Sequence, residues 1–217
     1  MERRLAAILA ADVVGYSRLM REDEVGILAR LKALRRELVQ PGITERRGRI
    51  VKLMGDGLLA EFPSVVEAVQ CAVDIQRKIA EREPDVHADQ RIRLRIGVNL
   101  GDIIVEGSDI YGDGVNVSAR LEALADPGGI CISGTVLEHV KGRVDVDFAD
   151  LGKQQVKNID QPVQVYRIEL DRSPDEVGAS GTSQAGILEL PDKPSVVVLP
   201  FTNMSKDTEQ DYFADGI

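Results

Sequence analysis

Six polar residues in three short stretches carry the chemistry this sequence offers. Asp12 ends the apolar run of LAAILAADVVGYS (residues 5–17), and Asp56 interrupts that of IVKLMGDGLLAEF (50–62). Two carboxylates held at the ends of rigid β-structure can share hard cations through oxygen ligands, the coordination that Mg²⁺ requires. Gly55 and Gly57 flank Asp56 and would admit a phosphate or metal close to the backbone. Lys52 lies four residues before Asp56, and Asp109 opens the third stretch, DIYGDGVNVSAR (109–120). A lysine donor with an aspartate acceptor matches the N1 acceptor and N6 donor of adenine and opposes the reversed pattern of guanine. Asn116 and Arg120 stand at i and i+4, so on a helix they share one face. An arginine there suits a pentacoordinate phosphorus, whose negative charge spreads over its equatorial oxygens.

Taken singly, each residue has a plainer reading. Aspartate beside glycine is a common turn residue. Lys52, between Val51 and Leu53, could face solvent through strand alternation. Asn116 and Arg120 could belong to a solvated polar stripe with Ser118 and Glu122, although Val115, Val117 and Leu121 put them near a buried surface. No GxxxxGK[ST] occurs, so this is not a P-loop nucleotide site.

The elements that must position these residues follow from periodicity. Residues 5–11 form a short apolar strand. Over 20–40, Val25, Leu28, Leu31, Leu34 and Leu38 share a helical face, and Pro41 and Gly42 end the helix. RGRIVKLMGDGLLAEF reads as two strands joined at a tight Gly-Asp-Gly turn. Pro63 and Ser64 open a second helix with Val65, Val66, Val69, Ala72, Val73 and Ile79 as its apolar stripe. Residues 91–105 alternate as a further strand pair bent at Gly101–Asp102. Gly114 precedes a helix to about Ala125, DPGG (126–129) turns the chain, and Ile130–Ser133 is a strand. Two extended pieces, about 143–149 and 163–170, finish the body. The expectation is an α+β fold: a ferredoxin-like βαββαβ core with extra strands, its sheet mainly antiparallel and its helices on one side. From residue 171 the texture of SPDEVGASGTSQAG cannot bury a core and reads as a linker to about 193. PSVVVLPF, from 194, begins a second module that the chain ends inside.

Composition narrows the class. The 217 residues are 43% hydrophobic and 29% charged, ordinary for a globular protein. The formal charge is −9, from 27 basic and 36 acidic residues, and residues 171–217 hold 3 of the basic and 9 of the acidic groups. No basic stripe argues for nucleic acid. No apolar run approaches the roughly 18–20 residues of a membrane span. The start, MERRLAAILAAD, imitates a signal peptide, but its apolar part breaks at Asp12 with no cleavage-like segment after it, so the expected location is the cytoplasm. Cys71, Cys131, His87 and His139 lack zinc-ligand spacing, and the two cysteines read as buried free thiols.

Together, and in this order, the three stretches resemble the catalytic domain of class III adenylate/guanylate cyclases, over residues 1 to about 170. The resemblance implies that Asp12 and Asp56 hold two metal ions, Mg²⁺ or Mn²⁺. It implies that Lys52 and Asp109 select adenine, that Asn116 orients the ribose and that Arg120 stabilises the transition state. A phosphate-binding lysine falls on Lys157 in QVKNI, where Asn158 replaces the more usual glycine. The implied reaction converts ATP to 3′,5′-cyclic AMP and pyrophosphate by a two-metal mechanism. The implied assembly is a head-to-tail homodimer, with metal ligands from one protomer and the base-reading pair, Asn116 and Arg120 from the other. Guanylate cyclase is opposed by Lys52 and Asp109, and diguanylate cyclase by MGDGL in place of a glycine-glycine-acidic loop. A silent nucleotide-binding or dimerisation module is the alternative from another class. PSVVVLPFTNMSKDTEQDYFADGI (194–217) resembles the opening of a TolB-like amino-terminal domain. The first strand begins at residue 5, so regulation is expected from a C-terminal module missing from this chain or from dimerisation itself.

Overall fold

The computed structural model describes residues 2–84, 86–155 and 162–170. The linker, the TolB-like segment and Lys157 lie outside them. Strand β1 (Glu2–Val13) is the centre of an eight-stranded sheet. Its small and branched residues are buried on both faces: Ala7, Leu9, Ala11 and Val13 on one, Ala6, Ile8 and Ala10 on the other. The remaining strands are β2 (Arg49–Met54), β3 (Gly57–Phe62), β4 (Leu94–Glu106), β5 (Asp109–Tyr111), β6 (Ile130–Ser133), β7 (Asp147–Gln154) and β8 (Val163–Glu169). Their order is β2-β3-β1-β4-β6-β8-β7, with β5 pairing β4. Among the described residues only the β4–β6 pairing is parallel. The α+β class and the mainly antiparallel sheet therefore stand.

The structure departs from the sequence reading in three places. Residues 20–40 are not one helix. Helix α1 (Tyr16–Glu22) ends at Asp23, whose carboxylate accepts the Gly26 N–H at 2.9 Å and caps α2 (Glu24–Leu34). Restarting there turns Ile27, Leu31 and Leu34 inward and leaves Val25 80% exposed and Leu28 at the surface. A π-helical turn, Arg35–Val39, then inserts one extra residue, so Val39 takes the buried position expected of Leu38. Nor does Pro41 stop the helix. It sits at the start of α3 (Gln40–Glu45), directly after the π-helical turn, where the widened ladder accommodates its ring.

The second departure is β4, one 13-residue strand rather than a bent pair. It pairs with β1 from Glu2↔Val105 to Val13↔Leu94 without interruption. Gly101 makes no turn there. A Cβ on it would lie 3.0 Å from Gly114 Cα, so its role is to let a helix approach. The third departure is that helix, α5 (Asp113–Leu124). Helices α1 to α3, α4 (Val65–Arg82) and α6 (Gly134–Val140), the last not anticipated, pack on one face. Helix α5 lies on the other, its Val117 and Leu121 against Cys131 and Val165. The one-sided arrangement is thus corrected for this helix, and glycine is the reason. A Cβ on Gly97 of β4 would meet Ser118 O and Glu122 N at 2.2 Å. Burial pushes the Cys71 thiol up to about 12 and that of Cys131 up to about 11, so both remain inert free thiols.

Because the atoms facing Gly97 are helix backbone, no rotamer change can relieve a side chain there. Gly97→Val is expected to destabilise the chain by about 3 kcal/mol or more in urea unfolding, above the usual range for overpacking. A loss below about 1 kcal/mol would show that α5 is not seated on β4 as described.

Candidate active site

The register of the central strands assembles the carboxylates. Strands β1 and β3 are antiparallel with Ala11 opposite Leu58, so the residue after Ala11 meets the turn before Leu58. Asp12 therefore lies beside the two-residue Gly55–Asp56 turn that joins β2 to β3, where Met54 pairs with Gly57. Gly55 has φ +58°, a conformation glycine adopts without strain. The Asp56 carboxyl is raised above its ordinary range, first by burial and then by the nearby Asp12 carboxyl, with which it is in hydrogen-bonding reach. Two hard anionic oxygen donors held side by side form a donor set that fits Mg²⁺ or Mn²⁺.

Sequence reasoning missed the residues that surround this pair. Arg95 stands directly opposite Asp12 across the β1–β4 ladder, and its Nη2 reaches Asp12 Oδ2 at 3.1 Å. Its Nε lies 3.1 Å from Glu122 Oε1 on α5, but the two atoms are buried and not aligned as a hydrogen bond. Burial consequently outweighs the attraction of Arg95 and pushes the Glu122 carboxyl up to about 7. The alternation in RIRLRIG could have assigned Arg95 to the face opposite Leu94. Its pairing with Asp12 needed the register.

Lys52 and Asp109 meet: Nζ donates to Oδ2 at 2.8 Å. A β-bulge causes this. Ile50 pairs with Ala60 and Lys52 with Leu59, so Val51 is the extra residue, and Lys52 is carried to the face of the sheet on which Leu59 and Ile110 pack. The Ile110 N–H donates to Asp109 Oδ1 at 2.9 Å and the Tyr111 hydroxyl to Oδ2 at 3.3 Å, which fixes the carboxylate. The hydrogen bond with Asp109 raises the Lys52 ammonium, and the same bond holds Asp109 below the usual carboxylate range. Both stay ionised at neutral pH, Lys52 with donors to spare.

Asn116 and Arg120 are both exposed, on the side of α5 away from the buried Gly114, Ser118 and Leu121. Neither side chain has a hydrogen-bond or ion-pair partner among the described residues. A groove of about 880 Å³ beside the start of α5 is lined by Asn99, Gly101, Asp102 and Thr135 among others, and by none of the six described candidate residues. The structure thus forms three pairs, Asp12 with Asp56, Lys52 with Asp109, and Asn116 with Arg120.

Comparison with known proteins places this arrangement. Residues 3–169 match the family described as the adenylate and guanylate cyclase catalytic domain. A candidate adenylate cyclase, number 3, of Rhizobium meliloti (strain 1021) is 52% identical over 220 residues, covering 100% of this chain and 37% of that protein. The chain therefore spans little more than a third of that relative, and 54% of three mycobacterial relatives. Among solved structures, an adenylate/guanylate cyclase/hydrolase from Silicibacter pomeroyi is 50% identical, with TM-score 0.74 over 79% of this chain and 100% of that one. The guanylyl cyclase Cya2 is 26% identical, with TM-score 0.66 over 81% of this chain and 96% of that one.

The raised Glu122 carboxyl makes a prediction. From its ordinary value of 4.5 up to about 7, the folded chain keeps a proton that the unfolded chain releases, so this residue's contribution to stability falls as pH rises through that window. Glu122→Gln should flatten the decline. Between pH 5 and 8, urea midpoints should fall less in the variant than in the parent, by an amount on the order of 1–3 kcal/mol in stability. Identical pH dependence in the two would mean that Glu122 titrates normally.

Proposed function

The chain belongs to the adenylate and guanylate cyclase catalytic domain family, and from that premise we propose that it is an adenylate cyclase converting ATP to 3′,5′-cyclic AMP and pyrophosphate. The observation that carries the choice of base is the 2.8 Å Lys52–Asp109 pair. The Lys52 ammonium donates to adenine N1 and Asp109 accepts from the N6 amino group. Guanine, with a donor at N1 and an acceptor at O6, would set like against like at both positions and leave charged groups unpaired. Asn116 holds the ribose, so that its 3′-oxygen lies in line with the bond from the α-phosphorus to the departing pyrophosphate. Attack forms the 3′-oxygen–phosphorus bond and breaks the bond to pyrophosphate. The hydroxyl proton leaves to water or to the substrate. Arg120, without a protein partner among the described residues, meets the negative charge that grows on the α-phosphoryl oxygens.

Asp12 and Asp56 would hold two divalent cations, Mg²⁺ or Mn²⁺. When bound, these supply charge neutralisation for the triphosphate and lower the pKa of the attacking hydroxyl. Lys157 would bind phosphate.

In this reading the working unit is a head-to-tail homodimer, with Asp12 and Asp56 of one protomer facing Lys52, Asp109, Asn116 and Arg120 of the other. The outward, unpartnered Asn116 and Arg120 support it. The competing reading is a silent nucleotide-binding or dimerisation module. Against it stands the full set of carboxylates, base-reading pair and arginine.

Purified chain supplied with ATP and with GTP, in Mg²⁺ and in Mn²⁺, should yield cyclic AMP from ATP and little cyclic GMP. Asp56→Asn should lower turnover by about 100-fold or more with the fold intact. A dimer that makes neither product would favour the silent module. Equal use of GTP would overturn the adenine reading. The composite site has its own test. Asp56→Asn and Arg120→Ala should each be inactive alone. Mixed in equal amounts, they should recover about a quarter of parental activity, because half the dimers are mixed and each of those has one intact site. No recovery would mean that each site is built from a single protomer.

A further inference from the structure

The π-helical turn and the metal-site turn meet through one side chain. In Arg35–Val39 the Gln40 N–H donates to Arg35 O, five residues back rather than four. Single π turns inside α-helices are rare and occur frequently at functional sites. This one begins at Arg35. The Arg35 Nη2 donates to Gly55 O at 2.5 Å and reaches Gly57 O at 3.5 Å, the two carbonyls on either side of Asp56.

We propose that Arg35 is a positioning residue for the metal-binding turn: its guanidinium clamps the backbone on both sides of Asp56 and fixes where that carboxylate points. The proposal rests on Asp12 and Asp56 being cation ligands.

The turn needs such a tie because little packing holds its tip. It projects from the edge of the sheet, where β2 is the last strand and Lys52, Leu53 and Met54 are exposed. Open space surrounds Gly55, with no atom within 4 Å of where a Cβ would stand, so packing does not confine the tip on that side. Helix α2, anchored by Ile27, Leu31 and Leu34, gives Arg35 a rigid base. A planar guanidinium can address two carbonyls from one base, whereas a lysine ammonium would address them as a point charge. Groups that orient metal ligands typically govern metal affinity by 10–100-fold.

The test is Mn²⁺ binding to the whole chain, read by electron paramagnetic resonance of the free ion, beside far-UV circular dichroism and thermal midpoints. Arg35→Ala should weaken Mn²⁺ binding by about tenfold or more while secondary structure is kept and the midpoint moves only a few degrees. Arg35→Lys should fall between parent and Arg35→Ala. Amide hydrogen exchange across residues 54–58 should quicken in Arg35→Ala. Parental Mn²⁺ affinity in Arg35→Ala, with Asp56→Asn defective, would overturn the clamp and leave the metal assignment standing. Equal Mn²⁺ binding by the parent and Asp56→Asn would overturn both.

Discussion

Two carboxylates that repel one another are held at one end of the central sheet, and much of the surrounding structure answers to that repulsion. Left alone, Asp56 would move away from Asp12 or keep a proton; its carboxyl is raised first by burial and then by Asp12. The β1–β3 register denies it the first course. Arg95 approaches Asp12 from the next strand and Arg35 reaches the turn from the helical layer, so positive charge comes from both flanks. Glu122 completes the arrangement by drawing on Arg95 from above the sheet.

The seat of α5 determines how the rest of the site is presented. Gly97, Gly101 and Gly114 remove the side chains that would lift the helix from β4, and the backbones come into contact. Asn99 Nδ2 then donates to Gly114 O at 3.0 Å, and Arg95 meets Glu122 at the other end of the helix. With Gly114, Ser118 and Leu121 committed inward, Asn116 and Arg120 are left to face out. Their fixed i, i+4 spacing becomes a fixed presentation at the surface.

Much of this was legible in the sequence because it depends on local rules. The Gly-Asp-Gly hairpin, the Ser64-capped helix, the strand after DPGG and the buried thiols follow from turn chemistry, capping and apolar periodicity. Asp12 and Asp56 were identifiable as a pair because each breaks an apolar strand. Asn116 and Arg120 were identifiable because helix geometry fixes their relation wherever the helix goes.

What the sequence could not decide is what depends on partners distant along the chain. Gly101 carries the same signal whether it bends a strand or admits a helix, and only the uninterrupted β1–β4 ladder settles the matter. Pro41 reads as a stop until a widened turn before it accommodates the ring. Lys52 by strict alternation would share the face of Ile50, and the bulge at Val51 sends it to Asp109 instead. Arg35, Arg95 and Glu122 carry no motif, because a charge acquires a role only from the charges brought against it. The sequence by itself determined which polar side chains end the apolar strands and which share a helix face. The tertiary structure decided which of them meet, since register, bulge and helix seating are set by packing between segments that local sequence does not encode.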